Sequence, residues 1–205
     1  MVNLDHYIYK PHPRLRLPTR EQAELACATS EGEADFRKAM EDRGREIFLE
    51  ETDPYRGGFE PKHWDHATEI LEENDELLIS GGNRSGKTEF CAKWIVKLAR
   101  EKDGSRIACF HTTHQSSLQN QQPVVYKYLP AEFKRKIKGA VENVSYTQKN
   151  GFTESTFILP NGSQVWFMHY SQDRRTVEGL ELDAVWADEL IPMDLLETIR
   201  YRLVT

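Results

Sequence analysis

Apolar positions recur at helical spacing from Thr19 to about Glu50, with Ala23, Ala26, Phe36, Ala39, Met40, Ile47, Phe48 and Leu49 on one stripe and charge almost everywhere else. Thr19-Arg20-Glu21-Gln22 resembles a capping box displaced by one residue. Gly32 and Gly44 divide the stretch into at least two helices. Before it, Pro11, Pro13 and Pro18 predict irregular backbone over residues 1–18. The pattern is that of a solvated helical arm, residues 1–52, packed by one stripe. Asp53-Pro54-Tyr55-Arg56-Gly57-Gly58 is rich in turn formers and joins this arm to the rest, residues 53–205.

Beyond the joint the pattern alternates between helix and strand. A helix is predicted from His66 to about Glu73, then a short apolar strand, Leu77-Leu78-Ile79, then a helix from Thr88 to about Arg100. That second helix carries Cys91, Trp94, Ile95, Leu98 and Ala99 on its buried stripe, with Lys93, Lys97 and Arg100 on the solvated face. Ser105–His111 reads as a strand, and Gln115 to Leu129 as a helix interrupted near Pro123. Ser155–Leu159 and Gln164–Met168 flank Pro160-Asn161-Gly162-Ser163, a strong hairpin signal. Leu182–Ala187 is a last, mostly apolar strand ending in Asp188-Glu189. Alternating strands and helices predict an α/β fold with a parallel sheet flanked by helices and a β-hairpin insertion.

Composition narrows the classes. A chain of 205 residues with 39% hydrophobic and 29% charged positions suits one substantial globular domain plus an appendage. No apolar run approaches the ~18 residues of a membrane span, and the charged start (Asp5, Lys10, Arg14, Arg16) lacks a signal peptide's apolar core. Three widely spaced cysteines, Cys27, Cys91 and Cys109, point to free thiols in a reducing cytoplasm. A net charge of −6 excludes a surface that grips nucleic acid all round, so any such contact is a local patch or belongs to another domain or subunit. Lys134-Arg135-Lys136-Ile137-Lys138 is the dense basic run; it reads as an exposed helix face, with a DNA-touching patch as the alternative.

The chemistry centres on Gly81-Gly82-Asn83-Arg84-Ser85-Gly86-Lys87-Thr88, which fits G-x4-G-K-[ST] at every fixed position and sits between a predicted strand and a predicted helix. Glycines let backbone N–H groups converge on phosphate oxygens, and the helix N-terminus adds a positive end. Lys87 is placed to neutralise β- and γ-phosphates, the Thr88 hydroxyl to ligate Mg²⁺, and Arg84 to meet charge developing on the γ-phosphate. Glu89 follows in the first helical turn and is grouped with the nucleotide-binding residues. ATP and Mg²⁺ are the expected ligands. About 100 residues downstream Asp188 would hold Mg²⁺ through its waters, and Glu189 would orient and deprotonate the attacking water. Arg174 or Arg175 is either an arginine acting on a neighbouring subunit's nucleotide or an ordinary surface pair. Phe59 or Trp64 either stacks on the adenine or, in Trp64's case, caps the core. His63 and His66 share a helix face but lack a third ligand nearby and read as structural.

Together, the glycine loop, the hairpin Leu159-Pro160-Asn161-Gly162-Ser163, and Gly179-Leu180 with Asp183 leading into Val185-Trp186-Ala187-Asp188-Glu189 resemble the large terminase subunits of tailed bacteriophages. The resemblance runs from about Phe59 to the C-terminus. It implies a P-loop NTPase fold of the ASCE type and ATP hydrolysis in a homo-oligomeric ring docked on the portal protein in the host cytoplasm. It further implies translocation of double-stranded DNA, a small terminase subunit that recognises the genome, and absence of the motor from the mature virion.

Two departures matter. Where family members often carry a glutamine that reads adenine, this chain has His63-Trp64-Asp65-His66. The resemblance also implies a strand with a coupling motif between the loop strand and the acidic strand, and a C-terminal nuclease domain. Neither is contained in residues 1–205, so the central sheet is expected to be incomplete, with a second chain or a further C-terminal portion supplying the strand. A helicase-like or other nucleic-acid-dependent ATPase, and a nucleotide-binding module that does not hydrolyse, are the alternative readings.

Overall fold

The computed structural model describes residues 19–57, 61–82, 84–134, 144–173 and 175–203. Residues 1–18, Phe59, Asn83, the basic positions 135–138 and Arg174, all named above, lie outside them. The chain forms two compact units, residues 1–59 and 60–205.

The first unit is helical, with α1 at Arg20–Ala26 and α2 at Ser30–Thr52. Thr19 is the N-cap of α1 itself, and its reciprocal bonds with Gln22 form a capping box in ordinary register, not one displaced by a residue. The break falls at residues 27–29, not at either glycine. Thr29 restarts the helix by accepting the Gly32 N–H at 3.0 Å, and a Cβ on Gly32 would lie 2.2 Å from the Ala26 carbonyl oxygen. Gly44 sits inside α2 with open space around it. Exposed pairs such as Arg37–Glu33 and Arg43–Glu46 line α2, and Ile47 is its buried residue.

The second unit is α/β. It contains α3 (His63–Glu73), α4 (Lys87–Glu101), β1 (Arg106–His111), α5 (His114–Ser116), a π-helical turn (Ser117–Gln121), α6 (Gln122–Tyr128), β2 (Tyr146–Thr147), β3 (Gly151–Phe152), β4 (Thr156–Ile158), β5 (Gln164–His169), α7 (Arg175–Glu178), β6 (Ala184–Ala187) and α8 (Met193–Arg200). The main sheet has the order β4-β5-β1-β6. β1 pairs in parallel with β5, from Arg106 opposite Gln164 to His111 opposite His169, and with β6, from Ile107 opposite Ala184 to Phe110 opposite Ala187. β4 is antiparallel to β5, which makes the sheet mixed rather than wholly parallel. The predicted hairpin is therefore no insertion, since β5 is an inner strand of the sheet.

Its turn has a second task. Asn161 donates through Nδ2 to the Ala99 carbonyl (2.9 Å), and Ser163 donates through Oγ to that of Lys102 (2.9 Å), satisfying carbonyls at the end of α4. Asp183 completes the brace, accepting from Lys102 Nζ and from the Arg106 N–H at 2.7 Å. The far end of α4 is thus pinned to β1 and β6, which fixes where its N-terminus points.

Burial also departs from the pattern. Lys93, assigned to the solvated face of α4, is 6% exposed, its ammonium 6.0 Å from the Trp64 ring and 5.9 Å from that of Tyr128. A helical wheel counts it as charge, but its stem packs as hydrocarbon and its head meets aromatic faces. Ala108, Phe110, Met168, Val177, Leu182, Leu195 and Ile199 form a core cluster shared by the sheet with α7 and α8. Phe152, Phe157 and Phe167 stack in an aromatic group, with Phe152 and Phe167 parallel at 5.0 Å.

The largest departure is at Leu77-Leu78-Ile79, which joins no ladder. Leu78 is 92% exposed. A strand is stable only with a neighbour to take its hydrogen bonds, and among the described residues none lies beside this one. Within those residues no helix is long and apolar enough to cross a membrane.

Candidate functional site

Gly81, Gly82 and Arg84 to Gly86 lie between the extended segment and α4. Gly86 is the N-cap of α4 and adopts φ +85°, open to glycine at little cost. A Cβ there would also meet Trp64 Cζ2 at 3.0 Å. Trp64 is 5% exposed, packs edge-on against Phe90 with centroids 5.7 Å apart, and so buttresses the loop. His63 Nε2 lies 3.3 Å from the Ser85 carbonyl oxygen. Among the described residues no group of three or more His, Cys, Asp or Glu side chains is placed to hold a metal.

Lys87, the first residue of α4, folds back over the loop. Its ammonium donates to the carbonyls of Gly81 (2.6 Å) and Gly82 (3.0 Å) and is 3.5 Å from Ser85 Oγ. Thr88 follows, half-buried. Arg84 is exposed at the loop's crest with φ +64°. The first turn of α4 leaves N–H groups without intrahelical acceptors, so the loop end is electropositive.

The parallel register of β1, β5 and β6 gathers their C-terminal ends at one edge of the sheet, where α/β folds place their reactive groups. Asp188, just past β6, donates its N–H to the Phe110 carbonyl at 2.9 Å. Its half-buried carboxyl is pushed above the ordinary range by burial. The nearby His111 and Lys87 pull it back down, while Glu189 pushes it further up. Lys87 contributes the weakest of these influences on Asp188. Glu189 is exposed, with φ +66°. A non-glycine residue in that region stores about 1–3 kcal/mol of strain.

Two residues of this neighbourhood escaped the sequence. His111 is buried, with Nε2 3.7 Å from Asp188 Oδ2. Its Nδ1 accepts the Thr112 N–H at 2.8 Å, so a neutral ring carries its proton on Nε2, facing the carboxylate. Tyr170 donates its hydroxyl to the Asp188 carbonyl at 2.7 Å and stacks on Phe110. Burial, then the charges of Asp188 and Glu189, keep its hydroxyl protonated well past the ordinary range. Both sit at strand ends. The signal for them was the polar residue closing each apolar run, which becomes informative only once the register is known.

Other candidates stand apart. Glu89 turns to Lys127, with Nζ 2.9 Å from each carboxylate oxygen. Arg175 opens α7, its N–H held by Asp173 Oδ1 at 3.0 Å. Lys134, the described residue of the basic run, donates to the Lys127 carbonyl at 3.0 Å and lies 5.0 Å from the Tyr126 ring centre.

The model of one protein family, described as the terminase large subunit, T4likevirus-type, N-terminal, matches residues 78–194. That span contains the glycine loop, both braces of α4 and the acidic pair. No curated protein and no solved structure matches the chain.

Proposed function

The chain belongs to the T4-like family of terminase large subunits, to its N-terminal part, and from that premise we propose that it is a P-loop ATPase of the ASCE type that hydrolyses ATP to drive double-stranded viral DNA into the procapsid. One observation carries this reading: the Lys87 ammonium is centred on the loop at 2.6 and 3.0 Å from two of its carbonyls. Those carbonyl contacts hold a cation where phosphate oxygens would replace them as partners. The N–H groups of the first turn of α4 would complete a cradle for the triphosphate.

The oxygen donors suit a hard divalent ion. Thr88 offers a hydroxyl, and Asp188 a carboxylate whose burial leaves its charge undercompensated, a donor set that fits Mg²⁺ with phosphate and water filling the other positions. Thr88 and Asp188 would hold Mg²⁺, which would supply positive charge beside the phosphates when bound. Glu189 orients the attacking water and takes its proton. Arg84 meets charge developing on the γ-phosphate. Tyr170 and His111 hold Asp188 by its carbonyl and beside its carboxylate. The partners are the portal protein, a small terminase subunit and further copies of the chain in a ring, at work in the host cytoplasm.

Glu189→Gln tests the assignment. The variant should bind ATP with unchanged affinity in an equilibrium titration and release phosphate at least ~10²-fold more slowly. Unchanged phosphate release would refute it.

A further inference from the structure

His63 and Trp64 open α3, and both meet the glycine loop at a single peptide unit, Ser85–Gly86. The Ser85 carbonyl oxygen can only accept, so the imidazole 3.3 Å away donates to it through Nε2. Trp64 lies against the following residue, its Cζ2 3.0 Å from the place of a Gly86 Cβ. The two rings also brace each other edge to face, with centroids 6.3 Å apart and planes at 83°. Because the indole is buried against Phe90, the imidazole rests on a fixed neighbour.

A trans peptide holds its carbonyl and its N–H on opposite sides, and the described residues include no cis bond. With the Ser85 carbonyl turned towards α3, the Gly86 N–H points away from α3. Among the described residues no backbone carbonyl accepts that N–H. Local conformation does little to keep this peptide in place. Gly86, at φ +85°, has no Cβ to resist a flip that would exchange the positions of carbonyl and N–H. A flipped unit would present an oxygen to phosphates that need a donor. The other polar groups of the turn are directed elsewhere: the Ser85 N–H bonds the Gly82 carbonyl at 3.3 Å, and Lys87 donates to the carbonyls of Gly81 and Gly82. Among the described residues it is His63 that supplies the hydrogen bond on the Ser85 carbonyl.

We propose that His63 is a positioning residue for phosphate binding: it holds the Ser85–Gly86 peptide in the orientation that turns the Gly86 N–H towards the bound phosphates. The inference rests on the phosphate-loop reading above and deepens it. His63 touches neither the phosphates nor the base; it acts through one peptide. A neutral hydrogen bond of this kind biases two orientations by roughly 3- to 10-fold. Affinity for the phosphate chain then falls with the fraction of loops in the competent orientation.

Equilibrium titrations with ATP and, separately, with inorganic tripolyphosphate, each with Mg²⁺, test this. Tripolyphosphate has no base, so it isolates the loop. His63→Phe keeps a ring against Trp64 and removes the donor; it should weaken both ligands by the same factor, about 3- to 10-fold. His63→Gln carries an amide N–H as many bonds from the backbone as the imidazole Nε2, and should restore wild-type affinity for both. Wild-type affinity in His63→Phe would overturn the proposal. So would failure of His63→Gln to recover what His63→Phe loses, which would make the ring's packing the important part. A loss for ATP with tripolyphosphate unaffected would overturn it too, assigning His63 to the base. Absence of binding of either ligand by the wild-type protein would overturn the phosphate-loop reading itself, and this inference with it.

Discussion

Replacing Gly86 by alanine separates two demands that the structure makes on one residue. The first is conformational: φ +85° lies in the left-handed region, where a Cβ costs about 1–2 kcal/mol. The second is steric. The added methyl would sit 3.0 Å from Trp64 Cζ2, and the indole cannot retreat, being 5% exposed and packed against Phe90. Overpacking of this kind adds about 1–3 kcal/mol. The expected total is ~2–5 kcal/mol, which for a domain of this size lowers the urea midpoint by about 1–2 M. Gly82→Ala is the internal control. Its Cβ meets nothing within 4 Å, so its stability should stay within ~0.5 kcal/mol of wild type. A double-mutant cycle isolates the steric part: in a Trp64→Leu background, Gly86→Ala should retain only the conformational cost, leaving a coupling of about 1–3 kcal/mol. Gly86→Ala within ~0.5 kcal/mol of wild type would refute the reasoning. An undiminished penalty in the Trp64→Leu background would refute its steric half.

The other expectations are simpler to state. Asp188→Asn should raise the melting temperature at pH 7: folding favours the neutral acid, so wild-type stability falls as pH rises from the ordinary carboxyl range through the raised folded value, and the gap between the two proteins should close as pH falls to about 4. Gly151→Ala should destabilise strongly, since at φ +68° its Cβ would lie 2.1 Å from Gln122 Oε1, which accepts the Phe152 N–H; a far-ultraviolet denaturation curve within ~1 kcal/mol of wild type would contradict this. In native protein at pH 8 a disulfide reagent should titrate one fast thiol, exposed Cys27. Burial pushes Cys91 up to about 12 and Cys109 well above its ordinary value, so both stay unreactive thiols until the protein unfolds.

What was legible in the chain was what short spacing determines. The helix that starts at Lys87 and the Asn-Gly turn each follow from residues within a few positions of one another, and each is found where those residues place it. Features that need a distant partner were not legible. Lys93 is buried because two aromatic rings from other elements receive it, and no helical wheel contains them. Leu77-Leu78-Ile79 has the composition of a strand, yet strand formation belongs to a pair, and the described residues hold no second member. His111 and Tyr170 become neighbours of Asp188 only through the register that sets Phe110 beside Ala187 and His111 beside His169.

That distinction bears on how the site is held together. Arg84 and Glu189 are both non-glycine residues at positive φ, 64° and 66°, one on the loop and one past the acidic strand. Each conformation is uphill locally, so each must be imposed by its surroundings. For Arg84 the constraint is local: Lys87 clamps two carbonyls of the same turn, and Gly86 is wedged against Trp64. For Glu189 it is remote, set one residue earlier, where Asp188 is fixed by its N–H to Phe110 and its carbonyl to the Tyr170 hydroxyl. Removing that hydroxyl with Tyr170→Phe therefore reaches Glu189 through one peptide unit, while leaving the stacking on Phe110 intact. The loop can preserve its shape in isolation from the sheet edge, whereas the acidic pair keeps its shape only as long as β1, β5 and β6 stay in register.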